Sequence, residues 1–150
     1  MPNADEMLAL AASRAKELAA AGLSPRPRRK VAVLACMDTR IDLFAMLGLA
    51  RGDAHIIRNA GGLVTDDALR SLGVSQRLLG TEEIVVVMHD DCGLQGAPDD
   101  ELGFDDVEAA LRDGLGRLRA SSELPIRDKI RGFVFDPETG ALREVEPPAG

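Results

Sequence analysis

The stretch Val31–Arg40 reads VAVLACMDTR. Its first five residues are small or branched and apolar, the pattern of a strand buried on both faces of a parallel sheet. They run directly into Cys36, Asp38 and Arg40 at alternating positions. The pattern returns further along, where Ile84 to Met88 (IVVVM) leads into His89, with Cys92 close behind. The chain holds 2 cysteines, and each lies just past the end of an apolar run. Two strand ends therefore carry the reactive side chains and form one candidate site.

Further strands are predicted at Ala54 to Arg58, at Ile130 to Phe135, and at Ala141 to Val145. The last returns as a hairpin after the turn residues Asp136-Pro137-Glu138-Thr139-Gly140. Helical patterns alternate with these strands. Ile41 to Leu47 is a short segment closed by Gly48. Leu63 to Leu79 places Leu63, Ala68, Leu69, Leu72 and Leu79 on an inner face, with Thr65 or Asp66 as cap and Gly80 as stop. Phe104, Val107, Leu111, Leu115 and Leu118 recur at spacings of three and four, which predicts a further amphipathic helix. Between Cys92 and that helix runs a polar, acidic, Gly-rich loop, Gly93 to Gly103. At the N-terminus, Asn3 can cap a helix running to about Ala21, with Glu6 in the capping-box position and Gly22 as its stop. Its apolar stripe is Met7, Leu8, Ala11, Ala15, Leu18 and Ala19. Ser24 to Lys30 (SPRPRRK) reads as a Pro-broken, solvated basic connector.

Strands alternating with helices predict one α/β domain over residues 1–150, with a mostly parallel sheet and helices on both faces. The N-terminal helix occupies about 3–21 and the catalytic core about 31–145. In such sheets the site lies outside the carboxyl ends of the strands, at a switch in strand order. Cys36 and His89 converge there if the first and third strands are neighbours.

Composition excludes several classes. A net charge of −7, a pI of about 4.8 and the absence of Trp and Tyr argue against a nucleic-acid surface. Asp5 and Glu6 stand where a signal peptide would be basic, and charged residues interrupt the apolar run that follows. No apolar run is long enough to span a membrane. Two cysteines form no disulfide framework and suit metal binding in a reducing compartment, so a cytoplasmic protein is expected.

Two thiolates and an imidazole are a good donor set for zinc, with bonds of about 2.0–2.3 Å. His-x-x-Cys lets one loop supply two ligands and Cys36 supplies the third from another strand. Three protein ligands leave a fourth position open, and a water there can lose a proton near neutral pH. Two thiolates make that water less acidic than three imidazoles would, so activity should rise toward alkaline pH. With the chain extended, Cys36, Asp38 and Arg40 point to one side. Asp38 can then ligate the metal and close the site, or pair with Arg40 and leave it open. The simpler readings are a buried cysteine and an ordinary salt bridge; they explain each residue but not their coincidence at two strand ends. His55, inside a strand, reads as a packing residue or else an outer proton carrier.

At these residues the sequence resembles the β-class carbonic anhydrases. Cys36-Met37-Asp38-Thr39-Arg40 matches the family's Cys-x-Asp-x-Arg, and His89-Asp90-Asp91-Cys92-Gly93 its His-x-x-Cys-Gly. Arg58-Asn59-Ala60-Gly61-Gly62 is a further family signature between them. The resemblance runs from about Val31 to Leu94 and resumes at Arg131 to Val145, and is greatest to the small actinobacterial-type members. It implies zinc on Cys36, His89 and Cys92, catalytic roles for Asp38 and Arg40, and hydration of carbon dioxide to bicarbonate and a proton by a zinc-bound hydroxide. It also implies a sheet of order 2-1-3-4 extended by an antiparallel fifth strand, and a homodimer or larger homo-oligomer with the N-terminal helix packed across the partner. The region after Cys92 is shorter than in such relatives. A regulatory pocket of Trp, Arg and Tyr, known in some members, cannot form in a chain without Trp or Tyr. Two alternatives keep the same zinc site: hydrolysis of carbonyl sulfide or carbon disulfide, and a catalytically silent zinc-binding protein.

Overall fold

The computed structural model describes residues 3–99 and 102–149. Five strands, β1 (Val31–Cys36), β2 (Ala54–Asn59), β3 (Glu83–His89), β4 (Ile130–Phe135) and β5 (Leu142–Val145), form one sheet in the order β2-β1-β3-β4-β5. The first four run parallel and β5 returns antiparallel to β4, as expected. β1 sits between β2, with Cys36 opposite Asn59, and β3, with Ala35 opposite Val87. The order reverses direction between β1 and β3, which places the switch point at Cys36 and His89.

Both faces carry helices, but unequally. On one face lie α4 (Asp66–Leu79) and α5 (Val107–Ala120). Leu72 of α4 and Leu111, Leu115 and Leu118 of α5 pack on Leu34, Val86 and Val134, all buried. Thr65 caps α4 by accepting from the Ala68 N–H, and Asp106 caps α5 in the same way. The opposite face holds only α3 (Leu43–Leu47), whose Leu43, Met46 and Leu47 cover Val33, Ala35 and Val87. The two crossovers leaving β2 and β3 run the same way across the sheet and the one leaving β1 runs the other, so right-handed connections put α3 alone on its face.

The N-terminus departs from expectation. It is not one helix over 3–21 but two, α1 (Ala4–Ser13) and α2 (Ala15–Leu18), broken at Arg14. The Ser13 hydroxyl bonds back to the Leu10 carbonyl at 2.8 Å and competes with the helical ladder there. Gly22 lies in a turn beyond Ala19, which is already extended. Every residue from Asn3 to Ala21 is exposed, so the apolar stripe covers none of its own subunit.

The basic connector is pinned rather than loose. Arg28 pairs with Asp53 at 3.0 Å, Lys30 with Glu82 at 3.2 Å, and Pro27 is buried. Phe104, expected at the start of a helix, stands before it and bridges to Gln95. It packs with Leu94 against the cluster that contains Cys36 and Cys92, so the acidic loop does reach the site. Asp100 and Glu101 of that loop lie outside the described residues.

Candidate metal centre

The adjacent carboxyl ends of β1 and β3 bring Cys36 and His89 together. Beyond β3 the chain turns through Asp91, at φ 55°, a left-handed conformation that Asp tolerates better than most residues. That turn returns Cys92 to the same place. One donor atom from each of Cys36, His89 and Cys92 lies within 4.8 Å of the others. All three are buried, at 4%, 1% and 7% exposure.

The partners of His89 fix its tautomer. Nδ1 lies 2.8 Å from the Asp90 carbonyl oxygen, which can only accept. Nδ1 therefore carries a hydrogen, and in the neutral ring Nε2 keeps its lone pair. Nε2 faces Cys36 Sγ at 3.2 Å. A backbone carbonyl on the far nitrogen is the usual support of a metal-ligating histidine. Burial pushes the Cys92 thiol up, the nearby Cys36 adds to it, and a backbone hydrogen bond from Leu94 opposes both. A dication would reverse that balance, because it favours the thiolate forms. Two buried sulfurs and one oriented imidazole nitrogen fit zinc in number, softness and enclosure.

Gly62 holds this place open. The 3-10 turn Ala60–Gly62 crosses the strand ends with Gly62 at φ 67°, and a Cβ there would lie 2.9 Å from the Cys36 nitrogen and 2.9 Å from the Val87 oxygen. No side chain fits between those backbone atoms.

Asp38 stands at the edge of the centre, its Oδ2 3.7 Å from His89 Nε2. Arg40 holds both its oxygens, with Nε donating to Oδ1 at 3.0 Å and Nη2 to Oδ2 at 2.9 Å. The pairing is one of the two arrangements expected, but the extended chain is not its cause. Asp38 Oδ1 also accepts from the Arg40 backbone N–H at 2.8 Å, so a side-chain turn joins the two residues. The hydrogen bonds from the Arg40 side chain and backbone hold the Asp38 carboxyl well below the usual carboxylate range.

Three residues of the surroundings stood inside the quoted motifs but were given no role from the sequence. Asp91 accepts from Arg40 Nη1 at 3.0 Å, and its carbonyl from Nη2 at 2.9 Å, so Arg40 lies between two acidic residues. Asp90 is bound through both oxygens by Arg143 of β5, which also reaches Glu108 of α5. This ties the His89 loop to the hairpin. Arg58 donates to the carbonyls of Cys36, Asp38 and Ile41. The visible signals were slight: a charged residue after Ile56 and Ile57 at the end of a strand, and acids flanked by two candidate metal donors. His55 is not at the site. Its Nε2 donates to the Pro25 carbonyl at 2.8 Å and its Nδ1 bonds the Ser75 hydroxyl at 2.7 Å. It lies four residues back along β2 from Asn59, about 13 Å at the usual rise of a strand. The packing reading holds.

Fold and centre together define an α/β protein with a Cys–His–Cys site able to hold a metal at its topological switch point. Comparison with known proteins gives the same picture. The carbonic anhydrase family model matches residues 31–124. Beta-carbonic anhydrase 1 of Mycobacterium tuberculosis is 41% identical over 138 residues, covering 81% of this chain and 85% of that protein. The crystal structure of the carbonic anhydrase from Streptococcus mutans matches with a TM-score of 0.88 at 38% identity, covering 97% of this chain and 99% of that one. The carbon disulfide hydrolase of Saccharolobus solfataricus is 47% identical over 119 residues, covering 75% of this chain but 57% of that protein. The chain belongs to the carbonic anhydrase family, beta class, by sequence and by fold.

Proposed function

We propose that this chain is a single-domain carbonic anhydrase that catalyses zinc-dependent, reversible hydration of carbon dioxide to bicarbonate and a proton. One observation carries the reading: three buried metal donors within 4.8 Å stand beside a carboxylate held on both oxygens by a guanidinium. Cys36, His89 and Cys92 are the residues that would hold the zinc. When bound, zinc supplies the Lewis acidity that lets water ionise near neutral pH.

The rest falls to the chain's own side chains. Asp38 is ionised at any physiological pH, so its free lone pairs accept a hydrogen bond from water at the centre without retaining the proton. Arg40 holds that carboxylate at the edge of the centre through both of its oxygens. If released by Arg40, Asp38 is near enough to become a fourth ligand and close the site. Leu94 and Phe104, with Ile41 and Leu43, surround the thiols with apolar walls, which strengthen each charge interaction inside.

Hydrolysis of carbon disulfide or carbonyl sulfide is the competing chemistry, raised by the similarity to a carbon disulfide hydrolase. The closeness of the fold favours carbon dioxide: the Streptococcus mutans carbonic anhydrase matches with a TM-score of 0.88 at 38% identity, a solved carbon disulfide hydrolase with 0.69 at 29%. Assaying the three substrates on one zinc-analysed preparation separates the readings. Fast hydration of carbon dioxide with little turnover of the sulfur compounds is expected; the reverse ranking contradicts the proposal, and no turnover of any of them leaves only a silent zinc protein.

The same reading makes the protein a homodimer or larger homo-oligomer. Met7, Leu8 and Leu10 of α1 are 60–67% exposed, and the sheet face beside α3 holds a shallow hollow of about 330 Å³ floored by apolar residues such as Val33, Leu47 and Val85 and flanked by Arg29 and Glu83. An apolar stripe unused at home suits packing on a second copy. Among the described residues no helix is long and apolar enough to cross a membrane. Both cysteines are free thiols, the form the metal needs and a reducing cytoplasm preserves.

A further inference from the structure

Arg58 is the last residue but one of β2, and its hydrogen bonds go to backbone carbonyls of one loop. Nε and Nη2 both donate to the Cys36 oxygen, at 2.9 and 2.7 Å. Nη2 donates also to the Asp38 oxygen at 2.8 Å, and Nη1 to the Ile41 oxygen at 3.1 Å. A guanidinium has five N–H donors in a rigid plane, and most of them here serve a single turn of chain. That turn starts at a metal donor, carries Asp38 in its middle and continues through Arg40.

We propose that Arg58 is a positioning residue that fixes the backbone of the Cys36–Ile41 loop and so keeps the Asp38 carboxylate with Arg40, the arrangement open for catalysis. The inference rests on the carbonic anhydrase reading above. Two arginines hold Asp38: Arg40 takes its side chain and Arg58 its main chain. For Asp38 to turn toward the metal donors its side chain must leave Arg40, and any shift of the loop backbone that goes with this must also break the bond from Arg58 Nη2 to the Asp38 carbonyl. The structure shows the loop with Asp38 on Arg40, and the contacts of Arg58 favour that arrangement over any that moves the loop backbone. No pairing of carboxylate with Arg58 is needed for this, because planar donors reach three carbonyls that no single point charge could reach together.

The test compares wild type, Arg58→Ala and Arg58→Lys as zinc-loaded full chains, with zinc measured on each sample. Both variants are expected to keep wild-type zinc content. In Arg58→Ala, kcat should fall roughly tenfold to a hundredfold, the scale of a misplaced catalytic group, with KM nearly unchanged. Added guanidinium ion at non-denaturing concentration should restore part of that rate, and Arg58→Lys should lie between the two. Cobalt replacing zinc gives a readout apart from turnover: the visible spectrum of Arg58→Ala should shift as a protein oxygen joins the metal, while the wild type does not. Should Arg58→Ala fail to fold, kcat and the cobalt spectrum of Arg58→Lys decide the matter. Wild-type kcat in the variants, zinc loss from them, or a lost rate without rescue or spectral change would overturn the inference. A wild type without zinc and without hydration would instead contradict the function on which it rests.

Discussion

Asp38 is the residue on which the proposed chemistry turns. Its carboxylate is bound twice by Arg40 and lies 3.7 Å from the imidazole of His89. Replacing it by alanine removes the acceptor at the centre but none of the three buried donors. Asp38→Ala is therefore expected to keep its zinc and to lose roughly a hundredfold in kcat, typical of removing one preorganised polar group. The pH dependence follows from its lowered pKa. The folded value lies below the unfolded one, so the pair contributes stability that is fully present above about pH 3.9 and is lost only as pH falls through the folded value. Asp38 thus does not titrate between neutral and alkaline pH. A rise in rate over that range, expected with two thiolate ligands, belongs to the centre; a rate profile flat from neutral to alkaline pH would refute that assignment. The donors themselves were legible in the sequence because a chain with 2 cysteines and 2 histidines places three of these four at strand ends. Asp91 and the Asp38 turn were not, because both depend on the path of a loop and on backbone partners that residue identity does not reveal.

At the scale of elements, the site depends on how closely three of them approach. β1 and β3 supply Cys36 and His89, two of the three candidate metal donors, and the 3-10 turn Ala60–Gly62 passes over their ends with no room for a Cβ at Gly62. Gly62→Ala is expected to destabilise the fold by about 1–3 kcal/mol, from the forced left-handed backbone together with displacement of Cys36. Zinc should also dissociate faster. Thermal unfolding and chelator-driven zinc release measure the two effects, and a variant matching wild type in both would refute the close approach. The strands were read to within a residue because buried parallel strands are near-continuous apolar runs. Ile130–Phe135 was read without error. The helix starts were read less well: Thr65, one of the two caps expected, leaves Leu63 ahead of α4, and Asp106, not foreseen as a cap, leaves Phe104 ahead of α5. The break at Arg14 carries no Gly or Pro signal and comes from a serine hydroxyl bonding backward.

For the whole molecule, the unequal covering of the sheet is the main consequence of the topology. One face is sealed by α4 and α5; the other has five residues of helix, while α1 exposes an apolar stripe. The sequence showed that stripe but could not say whether it packs on its own subunit; the exposure of every residue from Asn3 to Ala21 decides against that. Burying a leucine is worth about 1.5–3 kcal/mol. Leu8→Asp is accordingly expected to weaken assembly, read as a fall in mass by light scattering. A wild type already monomeric at assay concentrations would contradict the oligomer. The central claim concerns the centre itself, and stopped-flow hydration of carbon dioxide across pH, with zinc measured on the same sample, tests it most directly. The account expects about one zinc per chain, as three buried donors require, and a hydration rate that rises toward alkaline pH and disappears when the metal is chelated. Protein that hydrates carbon dioxide equally well without zinc, or that carries zinc and does not hydrate it, would contradict the account.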